Sequence, residues 1–218
     1  MAKTNNYRSM YLCLALFFSI CFTGIVLAQR LQQCPPVLAS LMPKDAVKVT
    51  GQYNSAGMIG LGFATADLPF EHICVNQTTK YPGRITFDVK HYSGEGIQIF
   101  KMQISPEEQQ RIMNKKKEFE SKYRAILNED RKGETINPVK MESVSGGIIL
   151  YFDYTTDCSE GTKRSKPSVH LLGVAHNDNT AINLEINGDI SIEKAKAAAV
   201  EVLSNFRKAD FTSLDRVK

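Results

Sequence analysis

The sequence predicts an α+β domain: an antiparallel sheet of about eight strands with two long helices packed on one of its faces. Three observations lead there. Short segments alternate apolar and polar residues with the period of two that belongs to half-buried strands. Short turns link these segments, and strands linked in that way pair antiparallel. Over 105–128, and again from Ser191, the period changes to that of an amphipathic helix. Such helices must bury one apolar stripe, and a sheet face under them makes a two-layer domain.

The first residues, MAKTNNYRSM, carry Lys3 and Arg8 and no acid. An uncharged apolar run follows from Tyr11 to Ala28 and ends in the small-residue pattern VLA. A basic start, an apolar middle and a small-residue end describe a secretory signal peptide, 1–28, cut after Ala28. A lipoprotein signal needs a cysteine directly after the small residues. Cys34 lies six residues past Ala28, behind Arg30 and two glutamines, so lipidation is rejected. The alternative is an uncleaved anchor, because the run is just long enough to span a bilayer. Cleavage leaves 29–218 as a single mature domain, exported to a periplasm or secreted, with no stable membrane insertion.

A chain of that length buries roughly 70% of its unfolded surface and needs no disulfide to be stable. Over all 218 residues the formal net charge is +4, from 27 Lys and Arg against 23 Asp and Glu, and losing Lys3 and Arg8 halves the excess. That balance argues against a nucleic-acid partner, which needs a clustered basic face. The densest basic cluster, NKKKEFESK, is interleaved with acids on a predicted helix and reads as a solvated surface.

The elements follow in order after a short apolar piece, CPPVLASLMP. AVKVTG alternates, with Val47 and Val49 on one side. GMIGLGFA puts Ile59, Leu61 and Phe63 on one side and Gly60, Gly62 and Ala64 on the other. A small-residue strand face admits a close neighbour; a packed helix is the favoured occupant over a ligand. ITFDVKHY sets Ile85, Phe87 and Val89 against Thr86, Asp88 and Lys90. YSGEG is a turn, and IQIFKMQI is read as the next strand. A helix then opens with Ser105 as N-cap, Pro106 at the first position and Glu108 closing a capping box. Its stripe is Ile112, Phe119, Tyr123, Ile126 and Leu127.

The pattern then runs again. PVKMES and GGIILYFDY are strands. SVHLLGVA and TAINLEIN form a hairpin around HNDN, with Ile182, Leu184 and Ile186 inward. SIEKAKAAAVEVLSNFRK is a helix of strong formers. Each pass reads strand, strand, strand, strand, helix, over 45–128 and 138–207. The same eleven residues separate Cys74 from Ile85 and Cys158 from Val169. The alternative to a duplication is that any antiparallel sheet punctuated by helices looks self-similar.

Catalytic chemistry is not visible. Nothing resembles GxSxG, HExxH or a P-loop, and the glycines of GEG and GG lack the following helix of a phosphate site. His91 and Asp88 fall on opposite faces of one strand. His176 is a turn residue. His72 lies two residues from Cys74, where a loop residue beside a disulfide is the simpler reading than a nucleophilic pair. Neither CxxC nor Cys/His spacing suggests a metal. No catalytic, cofactor-binding or metal-binding residue is assigned. The NQT triplet at Asn76 is a glycosylation acceptor if the host is a eukaryote.

The closing stretch NTAINLEINGDISIEKAKAAAVEVLSNF, a strand running into a helix, resembles the end of PsbP-like and LpqN-like secreted α/β domains. The stretch LASLMPKDAVKVTG, a short helix, a proline and a strand, is similar to uncharacterised bacterial envelope proteins. The resemblance implies a non-catalytic accessory or binding protein and carries no site residues. The expected function is therefore an exported, non-enzymatic accessory or binding protein, with an unknown protein or small-molecule partner. The alternatives are a thiol-dependent or hydrolytic enzyme of the cell envelope, using Cys74 or Cys158 with a histidine, and a membrane-anchored interaction domain.

Three cysteines outlast cleavage, in an oxidising compartment. Equivalent places in the two passes favour a Cys74–Cys158 bond, with Cys34 free or weakly ordered; the rival pairs Cys34 with Cys74. A Cys74–Cys158 bond closes a long loop and stabilises by up to about 4–5 kcal/mol in the chain-entropy model. Non-reducing peptide mapping of the exported protein is expected to return one linked peptide containing Cys74 and Cys158. A linked Cys34 peptide or three free thiols contradicts the pairing.

Overall fold

The computed structural model describes residues 34–69, 83–104, 114, 116–121, 135–157 and 165–216. All of them fall in one compact unit, Cys34–Lys218. Helix α1 (Pro36–Ala39) starts on a proline, whose fixed φ suits a first helical turn. It leads to β1 (Val47–Ala56), β2 (Ile59–Asp67) and β3 (Arg84–Tyr92). Helix α2 (Gly96–Ile104) follows. Then come β4 (Thr135–Ile136), β5 (Lys140–Val144), β6 (Gly147–Asp157), β7 (Ser165–His176) and β8 (Thr180–Gly188). Helix α3 (Ile192–Lys208) and a 3-10 turn (Thr212–Arg216) close the described chain.

The strands make one sheet in which every pairing is antiparallel. The order is β1-β2-β3-β8-β7-β6, and β4 and β5 share the outer edge of β6, which makes the sheet seven strands across. The α+β architecture and the antiparallel sheet are as the alternating patterns predict.

Parity sets the faces. On β3, Ile85, Phe87 and Val89 are buried on one face while Thr86, Asp88 and Lys90 take the other. β8 matches it, with Ile182, Leu184 and Ile186 registered against Val89, Phe87 and Ile85. Helix α3 lies on this first face and buries Ala195, Ala198, Ala199, Val202, Leu203 and Phe206 in the same core. The helix starts where expected, and Ser191 caps it, its Oγ accepting from the Lys194 amide at 3.3 Å. Phe211 and Leu214, after the helix, complete this layer.

Several expectations change. The stretch IQIFKMQI is a helix, not a strand. A strand there needs a free edge on β3, but β8 arrives from far along the chain and takes it. The bonds Gly96 N–H to Ser93 O and Ile97 N–H to Gly94 O instead wind the chain into α2, and the Phe100 ring lies tilted against Tyr92, 4.7 Å between ring centroids. Among the described residues the first pass therefore has three strands, whereas the second, 138–207, has the expected four strands and a helix, so the two do not match.

The helices do not share one face. Helical residues 116–121 set Phe119 against Leu150 and Phe152, which point away from α3. On β6, Ile149 and Tyr151 join the α3 core while Leu150 and Phe152 join the other cluster. The run IILYF is apolar throughout because the strand is covered on both sides, the pattern of a strand buried on two faces.

Cys34 is a free cysteine, one of the two states expected of it. It packs partly buried against the main core, and a Cβ on Gly51 would lie 2.6 Å from its Sγ. His176 ends β7, and the turn proper follows it, with Asn177 Oδ1 accepting from the amides of Asn179 and Thr180 at 3.2 and 2.8 Å. The Ser105 cap, Asn76, His72, Cys74 and Cys158 lie outside the described residues. No described helix is long and apolar enough to cross a membrane.

The core assignment makes a stability prediction. Phe206→Ala empties a fully buried site and is expected to cost about 3–5 kcal/mol. Phe63→Ala, on a half-exposed strand face, is expected to cost under about 1 kcal/mol. Urea denaturation of both variants checks the ranking; equal costs contradict the assignment of faces.

Candidate functional site

The second face of the sheet, opposite α3, is the candidate site. Its composition changes across the strands. At one side β6 and β7 present Leu150, Phe152, Tyr154, Leu172 and Val174. In the middle β3 and β8 present Thr86 and Asp88 beside Glu185 and Asn183. At the far side β2 presents Ile59, Leu61 and Phe63, exposed by 42%, 53% and 43%. That stripe faces out because the opposite side of β2 is the close-packed one: a Cβ on Gly62 would meet Leu38 at 3.0 Å, and one on Gly60 would collide with the Tyr53 ring. The small residues thus accommodate α1 and Tyr53, the packed-neighbour reading of that strand.

Phe119 covers the apolar side of the face only in part. Between it and the sheet lies a groove of about 190 Å³. Leu150, Leu172 and Val174 form its apolar floor; Thr86, Asp88, Asn183, Glu185 and Glu118 line its polar side. Phe119 and Phe152 meet at 5.1 Å between ring centroids, tilted by 56°, a favoured aromatic geometry. His170 stacks on Phe152 at 5.2 Å and on Tyr154 at 6.1 Å, extending the aromatic floor beyond the groove.

The polar side is organised by amides. Asn183 Nδ2 donates to Asp88 Oδ2 at 2.8 Å across the β3–β8 pair, and Asn187 Nδ2 donates to Glu185 Oε1 at 3.3 Å. Thr86 and Thr65 hydroxyls pair at 3.2 Å between β3 and β2. An apolar floor with a few fixed polar groups at one side is the usual make-up of a small-molecule site.

Among the described residues, His91 and Asp88 fall on opposite faces of the sheet, as their spacing predicts. His91 is 2% exposed on the first face, its Nδ1 2.9 Å from Thr180 Oγ1, while Asp88 is on the second. Burial raises the Cys34 thiol above its ordinary value, which opposes thiolate formation. Among the described residues no three His, Cys, Asp or Glu side chains converge as metal ligands. Asp88, Asn183 and Glu185 were legible only as a wetted face. The signal for the groove was the pair of doubly apolar stretches, IILYF and VHLLGV, which call for cover on both sides.

One charged cluster lies apart, on the α3 side. Tyr151 OH donates to Glu142 Oε1, and Lys196 from α3 donates to Glu142 Oε2 while lying 5.0 Å above the Tyr151 ring. These bonds fasten α3 to β5 and β6. The Lys196 and Tyr151 hydrogen bonds hold the Glu142 carboxyl below its ordinary range. The Glu142 bond raises Lys196, and burial, followed by the bond to Glu142, raises Tyr151.

A carboxyl with a lowered folded pKa contributes stability above its unfolded pKa, and that contribution is lost as pH falls through the folded value. Glu142→Gln is expected to lower Tm at neutral pH, with the gap to wild type closing on acidification through and below the carboxylate range. A gap that stays constant across that range contradicts the ion-pair reading.

No protein-family model matches the chain, and neither do the curated proteins or the solved structures compared with it.

Proposed function

We propose that this chain is an exported, non-enzymatic binding protein that holds a small molecule on the second face of its sheet. The observation that carries the reading is the groove under Phe119, with its floor of Leu150, Leu172 and Val174 and its polar side at Asp88, Asn183 and Glu185. Its volume of about 190 Å³ suits one aromatic ring with a short substituent; a dry apolar cavity of roughly 150 Å³ is enough to take benzene. Rigid strands supply the floor, so the site needs little ordering on binding, which favours affinity. Export rests on the basic, apolar and small-residue order of 1–28.

Ligand-observed NMR with a mixture of single-ring compounds tests the reading. Wild-type protein is expected to broaden some of them, and Asn183→Trp, which fills the groove from its polar side, is expected to abolish the effect while leaving Tm within a few degrees. Binding unaffected by Asn183→Trp, or no binding to wild type, overturns it.

A further inference from the structure

The groove has a sign as well as a size. Three of its described lining residues, Asp88, Glu118 and Glu185, are carboxylates, and none is Lys, Arg or His. The hydrogen bonds that orient Asp88 and Glu185 come from the neutral amides of Asn183 and Asn187, so they fix the carboxylates without cancelling their charge. A carboxylate accepts at about four lone-pair sites, and each of these two spends one on its amide. The register places both on the same face, Asp88 opposite Asn183 and Glu185 opposite Thr86 on the neighbouring pair. Lys90 follows Asp88 on that face of β3 and does not line the groove.

The apolar part is equally specific. Phe119 and the floor of Leu150, Leu172 and Val174 are the walls against which a hydrocarbon body would rest. An aromatic wall also favours a cation held near its ring face. A divalent metal does not fit the same residues, since the described carboxylates do not converge as a ligand set. An anionic ligand would face the like charges of Asp88 and Glu185.

Building on the ligand-binding reading of this groove, we infer that its ligand is an organic cation: an ammonium group carried on an apolar body of about one ring. The ammonium sits at Asp88 and Glu185, and the ring lies over Leu172 under Phe119.

Calorimetric titration of the exported protein with three matched probes tests this: 2-phenylethylamine, 2-phenylethanol and 3-phenylpropionate. The amine is expected to bind about fivefold or more tightly than the alcohol, the increment of one partly exposed charge contact, and the carboxylate not at all. Raising salt to about 0.5 M is expected to weaken the amine and leave the alcohol unchanged. Asp88→Asn combined with Glu185→Gln is expected to bring the amine to the level of the alcohol; an unchanged alcohol affinity shows that the variant keeps its groove. Equal wild-type affinity for amine and alcohol, or a preference for the carboxylate, overturns the cation inference and leaves the groove as a ligand site. Failure of all three probes overturns both.

Discussion

Helix α3 seals the first face of the sheet, and the rest of the fold is arranged around that contact. Ala195 and Ala199 let the helix axis approach, while Val202, Leu203 and Phe206 fill the space over β6, β7 and β8. Each fully buried large side chain of this kind contributes roughly 1.5–3 kcal/mol relative to exposure. The β5–β6 hairpin holds the helix from outside. Lys196 reaches Glu142 near one end, and Arg207 Nε donates to Gly146 O at 3.1 Å near the other. Gly146 has φ 98°, and a Cβ there would lie 2.7 Å from the Leu203 carbonyl carbon and oxygen, so the turn is tight against the helix because the residue is glycine.

Once α3 has claimed one face, strand parity leaves the polar half of β3 and β8 on the other. The strands near β6 carry apolar residues on both faces and require a second cover, which Phe119 supplies. The groove lies where that cover stops and the polar middle of the sheet begins. Its chemistry is thus a consequence of two neighbouring strand types, one buried on both faces and one on a single face. β2 is a third type, with glycine and alanine toward the core and Ile59, Leu61 and Phe63 outward, because Leu38 and Tyr53 already occupy the space beneath it.

The parts of this arrangement that are local were legible in the sequence. The alternation of ITFDVKHY and TAINLEIN gives the correct face for every residue from Ile85 to Val89 and from Ile182 to Ile186, and Ser191 announces the start of α3. What depends on distant pairing was not legible. IQIFKMQI satisfies either period, and the decision belongs to β8, which is far away in the chain and occupies the edge the segment would need. The opposite placement of Phe119 follows from the doubly apolar run in β6, a pattern that does not by itself tell a two-sided strand from a buried helix segment. Asp88 and Glu185 became neighbours of a groove only through the β3–β8 register, which no spacing within either strand encodes.

The central claim is that one face is sealed and the other receives a ligand. Intermolecular NOEs between a bound single-ring amine and assigned side-chain protons measure this directly. Contacts are expected to the methyls of Leu150, Leu172 and Val174 and to the Phe119 ring. Contacts to Val202 or Leu203, beneath α3, or contacts confined to Ile59 and Leu61 on β2, would contradict it.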